Sequence, residues 1–289
     1  MKLTSCLTPN GPRAAALAED GKSLVIFEVS VKELFLKENW LEYVKKFVQD
    51  TLDGRRPPCL VPVEEARLLT PVPDPQKIAC VGLNYADHAA ETGDSVPDAP
   101  VIFNKFPSAL CGNGDVIELP AVSDKVDYEA ELVVVIGKKG RNIPIESAME
   151  YIAGYCCGND VSARDWQMRP PARQWFIGKT FDGFAPVGPW MVTADEIPDP
   201  RNLEIELRLN GEVMQKSNTN QFIFSVPTLI NWISQAATLL PGDLIFTGTP
   251  PGVGMGRKPP LFLKDGDLCE VEIEKIGVLG NLFKAEKKN

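Results

Sequence analysis

The stretch VDYEAELVVVIG, residues 126–137, limits what this chain can fold into more than any other. Leu132 to Ile136 are apolar without a break and rich in β-branched side chains, the pattern of a strand buried in a core. Immediately ahead stand Glu129 and Glu131, two residues apart, so an extended backbone sends both side chains off one face. Paired like charges at the edge of a core repel, and stripping them of water is costly unless something cationic sits with them. A divalent cation is the simplest neutraliser. A plainer reading leaves both acids on an exposed edge, partnered by Lys125, Lys138 or Lys139.

Strand-like patterning recurs through most of the chain. KIACVGL, PVIFNK, DVIELP, PVGPWMVT, LEIELRLNGEVMQ, DLIFTGT and LCEVEIEKIGVLGNLF are separated by Gly, Pro, Asp and Asn turns. Asn210-Gly211 between two alternating runs signals a hairpin. Helical spacing is confined to residues 84–91, 145–155, 162–167 and 226–237, the last with Ser225 and Pro227 at capping positions. The proline-dense PVPDPQK, residues 71–77, divides a small N-terminal α+β unit (1–70, with a helical stretch over 31–52) from a β-rich domain over 71–289. The fold class is therefore α+β, dominated by strands.

Charge and cysteine usage narrow the setting. Thirty Lys+Arg against 39 Asp+Glu leave a net charge of −9, a field that repels nucleic-acid phosphates and anionic membrane surfaces, so neither is an expected partner. No apolar run is long enough to span a bilayer. Seven scattered cysteines without a CxxC spacing fit reduced thiols, hence a cytoplasmic protein; the mitochondrial matrix also fits if a presequence is removed.

Other residues could carry chemistry. Asp160, in GYCCGNDVSARDWQ, offers a third carboxylate; three oxygen ligands without cysteine or histidine favour Mg²⁺, with Mn²⁺ or Ca²⁺ as alternatives, over zinc. His88 is the only histidine, and Glu91 follows it at i+3, a spacing that on a helix lets a carboxylate orient an imidazole as a general base. That spacing is common by chance. Tyr85, Arg164 and Gln167 are candidate substrate contacts, and Lys179 offers a compact charge for a developing anion. GKT at 178–180 does not end a phosphate-binding loop, because Arg173 stands where a glycine is required. DLIFTGTPPGVGMG makes a glycine-rich loop whose amides and hydroxyls, Thr249 among them, could hold a small carboxylate.

Taken together, GLNYADH with Glu91, FNKFPSA, DYEAELVVVIGKKGRNI, GYCCGNDVSARDWQ, GKTFDGFAPVGPW and DLIFTGTPPGVGMG resemble the fumarylacetoacetate hydrolase superfamily across residues 77 to 283. The resemblance implies a mixed β-roll or sandwich-like catalytic domain, a homodimer, and Mg²⁺ held by Glu129, Glu131 and Asp160. It also implies that His88 and Glu91 activate water on a lid helix, that Lys179 stands near the reacting carbon, that Arg164 and Gln167 hold substrate oxygens, and that Thr249 lies at the carboxylate end. The activity expected is hydrolytic C–C cleavage of a small anionic 2-oxo acid of acylpyruvate type. Three alternatives stand beside it: oxaloacetate tautomerisation or decarboxylation, hydrolysis of a 2,4-diketo-3-deoxy sugar acid, and metal or ligand binding without catalysis. KPPLFLKDGD is similar to an animal-type subgroup for which oxaloacetate tautomerisation is one activity, while GLNYADHAAETG and GVGMGRKP are similar to the bacterial sugar-acid hydrolases.

Overall fold

The structure is a computed structural model that describes residues 1–87, 97–171 and 174–287. His88 and Glu91, with the second half of the helix expected over 84–91, lie outside the described residues.

The first 70 residues form β1 (Lys2–Thr8), β2 (Gly11–Leu17), β3 (Ser23–Ile26), α1 (Val31–Phe35), α2 (Trp40–Leu52), β4 (Leu60–Pro62) and β5 (Leu68–Leu69). The helical stretch over 31–52 is thus two helices. Ser30 and Glu33 close a capping box at the start of α1, and Asn39, in the left-handed region at φ 50°, turns the chain before α2. Next come β6 (Ile78–Gly82), β7 (Val101–Asn104), β8 (Leu110–Cys111), β9 (Ile117–Leu119), β10 (Val126–Asp127), β11 (Ala130–Ile136), β12 (Ile152–Asn159) and β13 (Ser162–Ala163). The short helices α3 (Arg164–Gln167) and α4 (Trp175–Lys179) lead into β14 (Ala185–Thr193). A hairpin, β15 (Glu204–Leu209) and β16 (Glu212–Asn218), turns at Asn210-Gly211 as its sequence indicates, both residues having positive φ. The chain closes with α5 (Val226–Ala236), β17 (Leu244–Phe246), β18 (Leu268–Ile273) and β19 (Gly277–Ala285). Ser225 caps α5, its side chain accepting from Thr228 N.

The strands form a mixed, two-layered architecture. A large sheet runs β4-β3-β2-β1-β14-β12-β11-β17-β6-β7, with β5 on β1 and β8 on β14; a second sheet runs β16-β15-β18-β19-β9; β10 and β13 pair alone. β1 pairs with β14, so the large sheet continues across the 71–77 segment. Strand β11 lies at the centre and is buried along its whole length, which accounts for its unbroken apolar sequence. Leu132, Val134 and Ile136 face the second sheet and pack with Ile205, Leu207, Val271 and Ile273. Val133 and Val135 face the other way, into a cluster with Leu34, Val44 and Phe47 of the N-terminal helices.

Residues 145–155, expected as a helix, are instead a 3₁₀ turn over Ile145–Tyr151 followed by β12. The strand wins because β12 is hydrogen-bonded between β11 and β14, with all eight residues buried. Truncating Leu132 to alanine should cost about 2–5 kcal/mol of stability in urea unfolding; a loss under about 0.5 kcal/mol, the scale of a surface change, would remove β11 from the core.

Candidate active site

Pairing of β11 with β12 sets Glu131 opposite Gly158 and Ala130 opposite Asn159. Beyond Asn159 the Asp160 amide donates to the Glu129 carbonyl at 2.8 Å, and Asn159 Oδ1 accepts from the Glu129 amide at 2.9 Å. Three carboxylates converge there, with one oxygen each from Glu129, Glu131 and Asp160 lying within 4.8 Å of one another. All three are buried, Glu129 being the most exposed at 8%. The exposed-edge reading therefore does not hold. Their ion-pair partners are Lys105, Arg164 and Lys179 rather than Lys125, Lys138 or Lys139.

Lys179, the last residue of α4, donates to Glu129 Oε2 at 2.7 Å, Asp160 Oδ2 at 2.8 Å and Ser162 Oγ at 2.7 Å. Arg164, at the start of α3, meets Glu129 Oε1 at 2.7 Å and Asp127 Oδ2 at 2.9 Å, and donates to Gln167 Oε1 at 2.9 Å. Lys105, just after β7, has Nζ 2.6 Å from Asp160 Oδ1. Asp127 adds a fourth buried carboxylate that accepts from the amides of Gly254 and Met255 at 2.7 and 3.0 Å. Four carboxylates thus face three cations in a water-poor wall. With all four carboxylates ionised the local balance is negative by one charge.

Glu131 bears most of that imbalance. Among the described residues it accepts a hydrogen bond from the Gly248 amide at 2.7 Å. Gly248 sits at φ +98°, and a Cβ there would come 2.7 Å from Asn84 Cβ, so only glycine brings this amide in. Burial, with Asp160 and then Glu129 beside it, holds the Glu131 carboxyl well above the usual carboxylate range. Burial also pushes Glu129 up, yet Lys179 and Arg164 outweigh it and hold that group low. For Lys179 burial disfavours the ammonium, but Asp160 and Glu129 overcome it and keep the charge in place.

These features fit a divalent cation. The donor set is oxygen only, suited to a hard ion. One more cation of charge two among these carboxylates would turn the local balance positive, ready for an anionic ligand.

Glu129 and Glu131 of the triad open on a cavity of about 180 Å³, with Asp160 behind them, smaller than the roughly 300–1,000 Å³ of drug-sized sites. Glu129, Glu131, Arg164, Gln167, Lys179 and Thr249 supply its polar wall, and Leu83, Phe103, Met168, Trp175, Val253 and Met255 its apolar one. The Trp175 ring packs against Gly82, where a Cβ would come 2.2 Å from it. A larger cavity, about 570 Å³, lies between β7 and α5 and has none of the triad acids in its wall.

The expected site residues thus fall into three groups. Glu129, Glu131, Lys179, Arg164, Gln167 and Thr249 line this cavity, and Asp160 joins the two glutamates from behind its wall. Tyr85 does not line it: the side chain is fully buried, edge-on to Phe222 at 5.0 Å, with no hydrogen-bond partner for its hydroxyl among the described residues. His88 and Glu91 lie outside the described residues. Two loop amides offered by sequence to a substrate carboxylate, those of Gly248 and Gly254, donate instead to Glu131 and Asp127. Thr249 Oγ1 accepts from Gln215 Nε2 at 2.8 Å.

Sequence reasoning missed Asp127, Lys105 and Ser162. Asp127 had a signal, since D-x-E-x-E places a third acid on the same side of the chain. Lys105 had none, being one lysine after a strand, and its burial is a tertiary fact.

Residues 77–284 match the family model for the C-terminal domain of fumarylacetoacetate (FAA) hydrolase. Among curated proteins, the mitochondrial oxaloacetate tautomerase FAHD2A of Bos taurus is 48% identical over 91% of this chain and 85% of its own. The Homo sapiens protein of that name is 53% identical over 77% of this chain and 71% of its own. Among solved structures, a fumarylacetoacetate hydrolase from psychrophilic Exiguobacterium antarcticum is 37% identical with a TM-score of 0.83, covering 99% of this chain and 100% of that one. A 5-carboxymethyl-2-hydroxymuconate delta-isomerase from Mycobacterium smegmatis is 36% identical with a TM-score of 0.79, covering 100% of both chains.

A ligating carboxylate is ionised, and burial beside Asp160 raises the Glu131 carboxyl, so divalent-ion uptake should be accompanied by proton release. Affinity then rises with pH, and the calorimetric heat depends on the ionisation enthalpy of the buffer. Heats identical across buffers would mean that Glu131 is already ionised.

Proposed function

The chain belongs to the fumarylacetoacetate hydrolase family, and from that membership we propose a magnesium-dependent enzyme that interconverts the keto and enol forms of oxaloacetate. The observation that carries this reading is the buried acid triad on a cavity sized for a small acid, together with the tautomerase names of relatives about half identical to this chain. A divalent ion held by Glu129, Glu131 and Asp160 would supply electrostatic hold on the substrate carboxylate and the oxygen beside it, where charge develops.

The chain's own groups do the rest. Arg164, fixed by Asp127, and Gln167, fixed by Arg164, present polar atoms to substrate oxygens without having to reorganise. Lys179 keeps its ammonium at the developing oxygen charge, anchored by Glu129 and Asp160. In the forward step a C3–H bond breaks and the proton passes to His88, which then delivers a proton to the C2 oxygen as the O–H bond forms there. No atom is gained or lost overall.

Hydrolytic C–C cleavage of an acylpyruvate is the second reading. Its support is the apolar wall of Met168, Trp175, Val253 and Met255, which suits an acyl chain better than a second carboxylate. There the same His88 would take a proton from water. As with its relatives' names, the compartment we propose is the mitochondrial matrix, where the seven free cysteines stay reduced, with the cytoplasm as the other possibility. No helix among the described residues is long and apolar enough to cross a membrane. A homodimer is the proposed state in solution.

Purified protein with Mg²⁺ should accelerate decay of the oxaloacetate enol signal, and EDTA should abolish the acceleration. His88→Ala should lower the rate by roughly 10²–10⁴-fold. Pyruvate release from acylpyruvates without any effect on oxaloacetate would reverse the order of the two readings.

A further inference from the structure

Two lysines touch Asp160, and they are held in opposite ways. Lys179 spends its three hydrogen bonds on side chains, Glu129, Asp160 and Ser162. Lys105 spends its own on backbone: Nζ donates to the carbonyls of Val161 at 3.0 Å, Phe184 at 2.6 Å and Lys179. An ammonium has three protons, so none is left for the carboxylate oxygen that lies 2.6 Å away. That contact is purely ionic, which agrees with Asp160 Oδ1 lacking a directed hydrogen bond. The Lys105 side chain is fully buried. Next to it, the Phe106 amide donates to Thr180 Oγ1 at 2.6 Å, stitching the end of β7 to the end of α4 a second time.

Such a cation cannot swing. Three carbonyls from three separate places fix where it stands, and its charge then decides how the Asp160 carboxylate is turned. Oδ1 is drawn to Lys105, leaving Oδ2 on the side of Lys179 and the triad. By accepting from Lys105, the Lys179 carbonyl also pins the backbone from which the second ammonium reaches the site.

We propose that Lys105 is the positioning residue of this centre: it holds Asp160 by Oδ1 so that only Oδ2 is presented to the cation, and it fixes the root of Lys179. This rests on the triad being a metal site. Lys105 touches no substrate; it acts through Asp160, as partners behind metal ligands do.

The test uses Mn²⁺ alone as probe. In a crystal of the wild-type protein soaked with Mn²⁺, Asp160 should bind through Oδ2 only, with Oδ1 still against Lys105 Nζ. Bidentate chelation by Asp160, or a Lys105 ammonium turned away from it, overturns the proposal while leaving the metal reading intact. Absence of Mn²⁺ from the triad overturns both. By calorimetry, Lys105→Met should weaken Mn²⁺ binding about 10–100-fold, the range for such partners. Adding the same change to Asp160→Asn should cause no further loss, since the group it acts through is already gone. Unchanged Mn²⁺ affinity in Lys105→Met, or fully additive losses in the double variant, would overturn it; if Lys105→Met does not fold, the wild-type soak decides alone.

Discussion

Mutual repulsion among four carboxylates held out of water is the constraint on which this structure depends. Asp127, Glu129, Glu131 and Asp160 could not be buried in one cluster unless cations were built in beside them. The fold delivers those cations from places far apart in sequence: the end of β7, the start of α3 and the end of α4. Each is held by something other than the acids it serves, Lys105 by carbonyls and Arg164 partly by Gln167. The arrangement resembles an ionic lattice cut to leave one position for a ligand ion.

Much of this was legible because strands carry their message locally. An unbroken apolar run of β-branched residues could only be a doubly covered strand, and alternation put Glu129 and Glu131 on one side of it. The hairpin at Asn210-Gly211 and the cap at Ser225 were readable for the same reason: the residues that make the turn or cap are adjacent. Where the outcome depended on distant partners, local reading failed. IESAMEYIAGY has helical spacing, yet β11 and β14 together claim its second half as a strand. Lys105 looks like any lysine at a strand end until the fold surrounds it with carbonyls.

The glycine-rich loop shows a subtler limit. Its composition announced amides free to meet an anion, and the amides of Gly248, Gly254 and Met255 do meet anions, but the protein's own. A loop of this kind can be a clamp on the acids rather than a seat for the substrate. The sequence could state the chemistry of the donors without stating who receives them.

Residues that wall the cavity come from positions 81–83, 103, 129–131, 164–168, 175–179 and 249–256. No contiguous stretch of the chain therefore owns the centre. A half-folded polypeptide would hold its acids apart in solvent, with no more grip on a cation than any acidic peptide, so an ion bound here would be captured only as the tertiary structure is completed, and would be lost when either sheet loosens.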